Sequence, residues 1–341
     1  MPLPFVLGAG AAIAGAAGAG SSIHGVVKIK DAEGTLKKAQ ERHQRNVDKF
    51  ERINDFTNRK MDDLGRLELQ ILNGFERFSD TIEKIQNRPQ FKKYDKEYID
   101  LPTYNREELE KVSVGAGVLL GSLGGAALGT AGGFAAAGAA TSAVMALGTA
   151  STGTAIASLS GAAAINATLA AIGGGAIAAG GGGIALGTTV LNATTLGVGL
   201  LVGGTIFNMV GRKLSDQADE AYAQMEQAES MINKICINLS EIAKVAVIYH
   251  QSLTGVREKY LEYFEYVSCT VNGLHKENWD SFTDWEKSTT QNAVLLVGLL
   301  YRMCQVNLVK KDENNHELSV VNRRGIGDVL KSSEQILKSM A

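Results

Sequence analysis

Val112 to Gly133 reads VSVGAGVLLGSLGGAALGTAGG, and it opens a stretch that continues to Gly211 without one Asp, Glu, Lys, Arg, His or Pro, although Lys111 and Arg212 flank it directly. A surface helix of a water-soluble domain carries a polar or charged face. These 100 residues write no such face. A second uncharged Ala/Gly-rich segment, Leu3 to Val27, is interrupted only by Ser21, Ser22 and His24. About 20 apolar residues span a bilayer, so the first segment has the length for one crossing and the long block for up to four. Within the block, Gly117, Gly121, Gly125, Gly129 and Gly133 fall at successive i+4 positions and leave one helix stripe bare; Gly175, Ala179, Gly183 and Gly187 repeat the device, as do Gly199 and Gly203. Glycine costs about 1 kcal/mol relative to alanine in an exposed helix, whereas between two close backbones it permits contact. Three readings stay open: helix packing in or at a membrane, a hydrophobic hairpin buried in protein, and low-complexity sequence with no defined partner. Glycine clusters at Gly148 to Thr154 and Gly173 to Gly183 mark where apolar helices turn back. They divide the block into four short helices forming two hairpins.

Outward from the block the pattern changes to heptads. Lys28 to Gln86 reads as one long amphipathic helix, with Leu36, Phe50, Leu64, Ile71, Phe78 and Ile85 on one seam and Val47, Met61, Phe75 and Ile82 on the companion seam. His43 and Thr57 fill two polar gaps. Glu41 with Arg45, Asp48 with Arg52, Asp55 with Arg59 and Asp62 with Arg66 repeat every seven residues and mark the side left in water. Pro89 and Pro102 bracket a connector with Tyr94, Tyr98 and Tyr104. Beyond the block, Ala218, Met225, Ile232, Leu239, Ala246 and Leu253 form one seam and Ala221, Ala228, Ile235, Ile242 and Tyr249 the other. An even number of crossings returns Lys111 and Arg212 to one side, so the two heptad helices are expected to run antiparallel as a stalk on the order of 60–90 Å. Gly255 and Gly273 are expected to punctuate further helices. Trp279, Phe282 and Trp285 are expected to open a strongly apolar helix that runs through Ala293 to Val309, followed by a polar turn at Asp312 to Glu317 and a last amphipathic helix with Ile326, Val329, Leu330, Ile336 and Leu337. The expected organisation is therefore residues 1–27, an apolar segment; 28–111, heptad helix and connector; 112–211, glycine-zipper hairpins; and 212–341, returning helix and C-terminal helices. The fold class is all-α, a long antiparallel coiled-coil stalk or elongated bundle with an uncharged hairpin head.

Composition narrows the function. A formal net charge of −2 from 34 basic and 36 acidic residues provides no bulk field for nucleic acid. Cys236, Cys269 and Cys304 are widely spaced, with no CxxC, and read as buried small hydrophobes in a reducing compartment. Neither a phosphate-binding GxxxxGK[ST] nor GxGxxG, GxSxG or HExxH occurs, and the five histidines are scattered. No catalytic, cofactor-binding or metal residue is expected, and the chain does not read as an enzyme. Trp279 and Trp285 read as core or interface aromatics, with an interfacial belt as the alternative. Met1 to Val27 carries no Lys or Arg, so no secretory leader is expected and the chain reads as made in the cytoplasm.

A long helical coil, a second coil and an uncharged Ala/Gly-rich hairpin head between them resemble the α-helical pore-forming toxins, and more loosely the apolipoprotein L and colicin types of hydrophobic-hairpin protein. The resemblance is architectural, carried by Val112 to Gly211 and its flanking heptads. It implies a head that inserts into a lipid bilayer, protomers that assemble there as a homo-oligomer with or without other helical components, and a role for Gly117 to Gly133 in packing protomers or hairpin arms. Ala, Gly, Ser and Thr enter lipid only weakly compared with Leu, Ile or Phe. The expected protein is therefore amphitropic, a membrane-permeabilising effector that hides its head in water and is membrane-associated when active. The alternative is a non-lytic membrane anchor whose coil recruits a protein partner. Only Ser, Thr and Asn (Asn166, Asn192, Asn208) are polar in the block, which makes a wide ionic lumen lined by it alone unusual.

Overall fold

The structure, a computed structural model, describes residues 23–91, 101, 104–123, 139–140, 143, 214–311 and 319–340. Among them 85% are helical and 3% lie in strands, so the chain is all-α in class. The helices are α1 (Ile23–Asn73), α2 (Phe75–Glu83), α3 (Arg106–Leu123), α4 (Leu214–Ser268), α5 (Asp284–Cys304) and α6 (Arg323–Ser339). The segment 1–22 and most of the glycine-rich block lie outside the described residues, and with them Gly125, Gly129, Gly133, Gly175, Gly183, Gly187, Gly199 and Gly203. The chain divides into two compact units, Met1–Glu51 with Leu200–Ile235, and Arg52–Gly199 with Cys236–Ala341. Both α1 and α4 contribute to each.

In the first unit the seam residues Phe50, Met225, Ala228, Ile232 and Ile235 are buried, as is Ala39 off the expected seams, while Val47 is only half-buried and the side chain of Leu36 is outside the described set. Arg42 ties the two helices together: its guanidinium donates to the Tyr222 hydroxyl at 2.9 Å and pairs with Glu229 at 2.7 Å. One heptad further on, Lys49 donates to Asn233 Oδ1 at 2.9 Å. Residue numbers rise together along both helices, so α1 and α4 are parallel. His43 is half-buried, and burial pushes its imidazole below the ordinary value.

The second unit shows the same direction. Thr57 Oγ1 donates to Leu239 O at 3.1 Å, Asn272 Nδ2 donates to Thr81 Oγ1 at 3.2 Å, and Gln86 N donates to Glu277 O at 2.6 Å. The expected antiparallel pairing is therefore corrected. A heptad stripe buries equally well in either direction, so periodicity carries no polarity. The reversal that settles it lies between α2 and α3. Past it, Arg106 lies by Asp80 (3.9 Å), and Ser113 Oγ donates to Asn73 O at 2.7 Å. Helix α3 thus runs back, antiparallel to α2 and the end of α1, and α4 again follows α1.

Leu64, Ile71, Phe78 and Leu239 all lie in the core of this unit, with Met61, Phe75, Ile82, Leu253, Val256 and Leu296. The heptad helix is broken once, at Gly74, between α1 and α2, and the seam continues through the break. Freed by the interruption, the Asn73 carbonyl accepts the Ser113 hydroxyl. Phe78 is surrounded by the rings of Phe264, Tyr260 and Tyr104, with centroids 5.6, 6.0 and 6.1 Å away. The acid–arginine repeats from Glu41 to Arg66 face outward, only Asp62 being half-buried.

Several expectations change toward the C-terminus. Helix α4 passes through Gly255 without a break and widens only at Cys269–Gly273, a π-turn closed by Leu274 N donating to Cys269 O at 2.9 Å. Helix α5 starts on a capping box, with the Thr283 hydroxyl accepting from Glu286 N at 3.2 Å and the Glu286 carboxylate accepting from Thr283 N at 2.6 Å. It stops at Cys304 rather than reaching Val309, because Val309–Lys311 pairs antiparallel with Ser319–Val321. This hairpin went unread. Residues 312–318, where a polar turn is expected, lie outside the described residues. Cys236 and Cys304 are buried but Cys269 is exposed, and Trp279 is buried while Trp285 stands out against Tyr266.

Candidate functional site

The described edge of the uncharged block is a wall of the second unit's core. Val112, Ala116, Leu119, Ala139, Ala140 and Ala143 are buried there among the large side chains of α1, α4 and α5. Gly115 makes the closest approach. A Cβ built on it falls 1.9 Å from Ala143 O and 2.6 Å from Ala143 C, so two backbones meet where no side chain fits. The zipper stripe behaves differently over its described part. A Cβ at Gly117 meets only the Asn73 side-chain oxygen, at 2.9 Å, and at exposed Gly121 no described atom lies within 4 Å. The close packing seen here thus uses Gly115, which lies outside the stripe.

In the same unit, beside Tyr249 of α4 and Cys304 of α5, sits Glu68, with no solvent exposure. Neither carboxyl oxygen has a hydrogen-bond partner among the described residues. Burial pushes its carboxyl well above the ordinary value. Tyr249 on α4 spends its hydroxyl on Met303 O at 2.8 Å, and the Cys304 thiol of α5 lies 4.0 Å from Glu68 O. Burial first, and the nearby Glu68 second, push both the Tyr249 phenol and the Cys304 thiol up. Burial thus favours the uncharged form of all three, as a dry core requires. Neither Glu68 nor Gly115 is among the residues expected from the sequence. Glu68 was legible nonetheless, since it stands seven residues after Met61 and seven before Phe75 on the companion seam.

Elsewhere the unit carries an open polar cleft of about 580 Å³ lined by Glu76, Arg77 and Asp80 on α2, by Lys84 just past its end, and by Ser268 and Asn272. Its charges are mixed, and Lys84 and Thr81 are already engaged by Asn272. The phenols of Tyr104 and Tyr301 are pushed up by burial and by carboxylate partners, Glu83 and Glu108, to which they donate at 3.0 and 2.5 Å. Among the described residues no group of three His, Cys, Asp or Glu side chains gathers around a possible metal position. Among them, too, no helix is long and apolar enough to cross a membrane. Comparison with protein-family models, with curated proteins and with solved structures finds no match for this chain.

Proposed function

We propose that the chain is an amphitropic α-helical protein that keeps the edge of its uncharged block folded into its own bundle and delivers the block to a lipid bilayer, which it permeabilises. The supporting observation is the burial of Val112, Ala116, Leu119, Ala139, Ala140 and Ala143 in one core with the heptad helices. It gives that edge of the block a dry environment in water, as an amphitropic state requires. In the bilayer state the stripe from Gly117 to Gly133 packs hairpin arms or protomers, the active form is a membrane-associated homo-oligomer, and Leu3 to Val27 is a second inserting element. No catalysis, cofactor or nucleic acid enters this reading.

The experiment is dye release from liposomes with purified full-length protein, measured beside co-flotation. Release with flotation is expected. Flotation without release would instead favour the non-lytic anchor, the reading that the block's lack of lumen-lining charge supports. Absence of both would end the membrane reading.

A further inference from the structure

We propose that Glu68 is the release element of the docked block: its uncharged carboxyl lets the second unit's core stay closed, and its ionisation frees the part of α3 beyond Ser113. The inference rests on the membrane-active reading above and supplies its trigger. A carboxyl on a core seam, between Met61 and Phe75, adds nothing to packing that Leu or Met would not. Its two oxygens have no described partner to stabilise a charge.

The groups that face it from the packed elements offer no cation. Helix α4 presents Tyr249, whose hydroxyl is committed to Met303 O. Helix α5 presents Cys304, and its Arg302 is exposed. Helix α3 bears no ionisable residue from Val112 to Leu123, and its antiparallel run from Asn73 brings Val118 level with Glu68. On α6, Asp328 and Lys331 are exposed and Ser333 pairs with Ser252. The charges of α2 lie beyond Asn73, at the other end of α3. Among the described residues an ionised Glu68 therefore faces only groups that can become negative, and water must reach it.

The weakest wall yields first. Aromatic and leucine side chains hold α4 and α5. The first turns of α3 are tied by Tyr301 to Glu108 and by the Arg106 charges. From Ser113 to Gly117 the contact is one hydroxyl, an alanine and two glycines, which bury little apolar area, and beyond them Leu119 is the one fully buried large side chain.

The folded-state carboxyl titrates above its unfolded range, so the stability it permits is present at low pH and is lost as pH rises. The test is denaturant unfolding of full-length wild type, Glu68→Gln and Glu68→Met from about pH 5 to about pH 9, with hydrogen exchange of residues 113–123 corrected for intrinsic rates. In wild type the unfolding constant is expected to rise by up to about tenfold per pH unit above the ordinary carboxyl range, and exchange at 113–123 to accelerate. Both variants are expected to lose that slope and that acceleration. Equal slopes in all three proteins overturn the proposal, as does a Glu68-dependent slope with unchanged exchange at 113–123. Should neither variant fold, the infrared band of a protonated carboxyl in wild type at neutral pH decides, and its absence overturns the proposal. Dye release separates the two levels. A Glu68-dependent slope and exchange change without leakage at any pH sinks the permeabilising reading alone, while leakage with no such slope sinks the switch alone.

Discussion

Replacing Gly115 by alanine adds a single methyl group at the tightest backbone approach in the second unit. Helix propensity favours the change by up to about 1 kcal/mol. Packing opposes it, because the new Cβ would stand 1.9 Å from Ala143 O and 3.1 Å from Ala143 Cα. Both sides of that contact are main chain, so no rotamer change relieves it, and the segment around Ala143 must move away from α3. Overpacking of this kind costs about 1–3 kcal/mol. The net effect is a loss of about 1–2 kcal/mol in docking of the block. Gly121→Ala is the internal control, since the position is exposed with no described atom within 4 Å, and it should gain up to about 1 kcal/mol. Thermal melts should therefore move in opposite directions by about 2–4 °C, and hydrogen exchange in α3 should rise only in Gly115→Ala. On the proposed function, the same variant binds liposomes at lower protein concentration than wild type. A Gly115→Ala protein that melts at or above the wild-type temperature with unchanged exchange would refute the close approach and the docking that depends on it.

Leu64→Ala and Leu239→Ala remove fully buried seam side chains and should each cost about 2–5 kcal/mol, read as a fall in the denaturation midpoint. Trp279→Phe should remove blue-shifted, iodide-protected emission and Trp285→Phe the red-shifted, readily quenched component, because the first indole is buried and the second is 58% exposed. Thr283→Ala should cost about 1 kcal/mol by opening the cap of α5. Glu286 is held below its ordinary range, its hydrogen bonds to Lys276 and Thr283 outweighing partial burial. Its contribution is therefore present at neutral pH and lost on acidification, the opposite sign to Glu68. A Glu286→Gln variant should flatten the acid limb of the stability profile in denaturant titrations.

The helical class and the buried positions were legible because heptad spacing is a local property. Phe50, Leu64, Ile71, Phe78, Met225, Ile232 and Leu239 lie where that spacing puts them. Direction was not legible, since reversing one helix leaves every seam residue on its seam. What fixes it is the return of α3 along α2, and its Ser113 and Gly115 are indistinguishable in sequence from their neighbours. The three-residue β pairing of Val309–Lys311 with Ser319–Val321 was masked by the apolar run that precedes it, because a short apolar stretch fits a helix end and a strand equally. Glu68 could have been found by asking what occupies each seventh residue, rather than which seventh residues are apolar. Asn54 fills the other gap on that seam.

A block built from glycine and alanine also makes the proposed exchange between protein and lipid physically economical. Each buried methylene or methyl is worth about 0.8 kcal/mol, so Ala116, Ala139, Ala140 and Ala143 hold their edge far less firmly than four leucines would. The same small side chains gain little from hydrocarbon. The two environments are thereby kept close in free energy, and inverting a 99:1 population takes about 5.5 kcal/mol. A leucine-rich block would settle in one environment and need a much larger bias to leave it. With weak attachment on both sides, one core carboxyl and a low-area contact at Gly115 are of the right magnitude to decide between them. This argues that the glycines of Val112 to Gly211 serve the balance between states as well as the packing of either one.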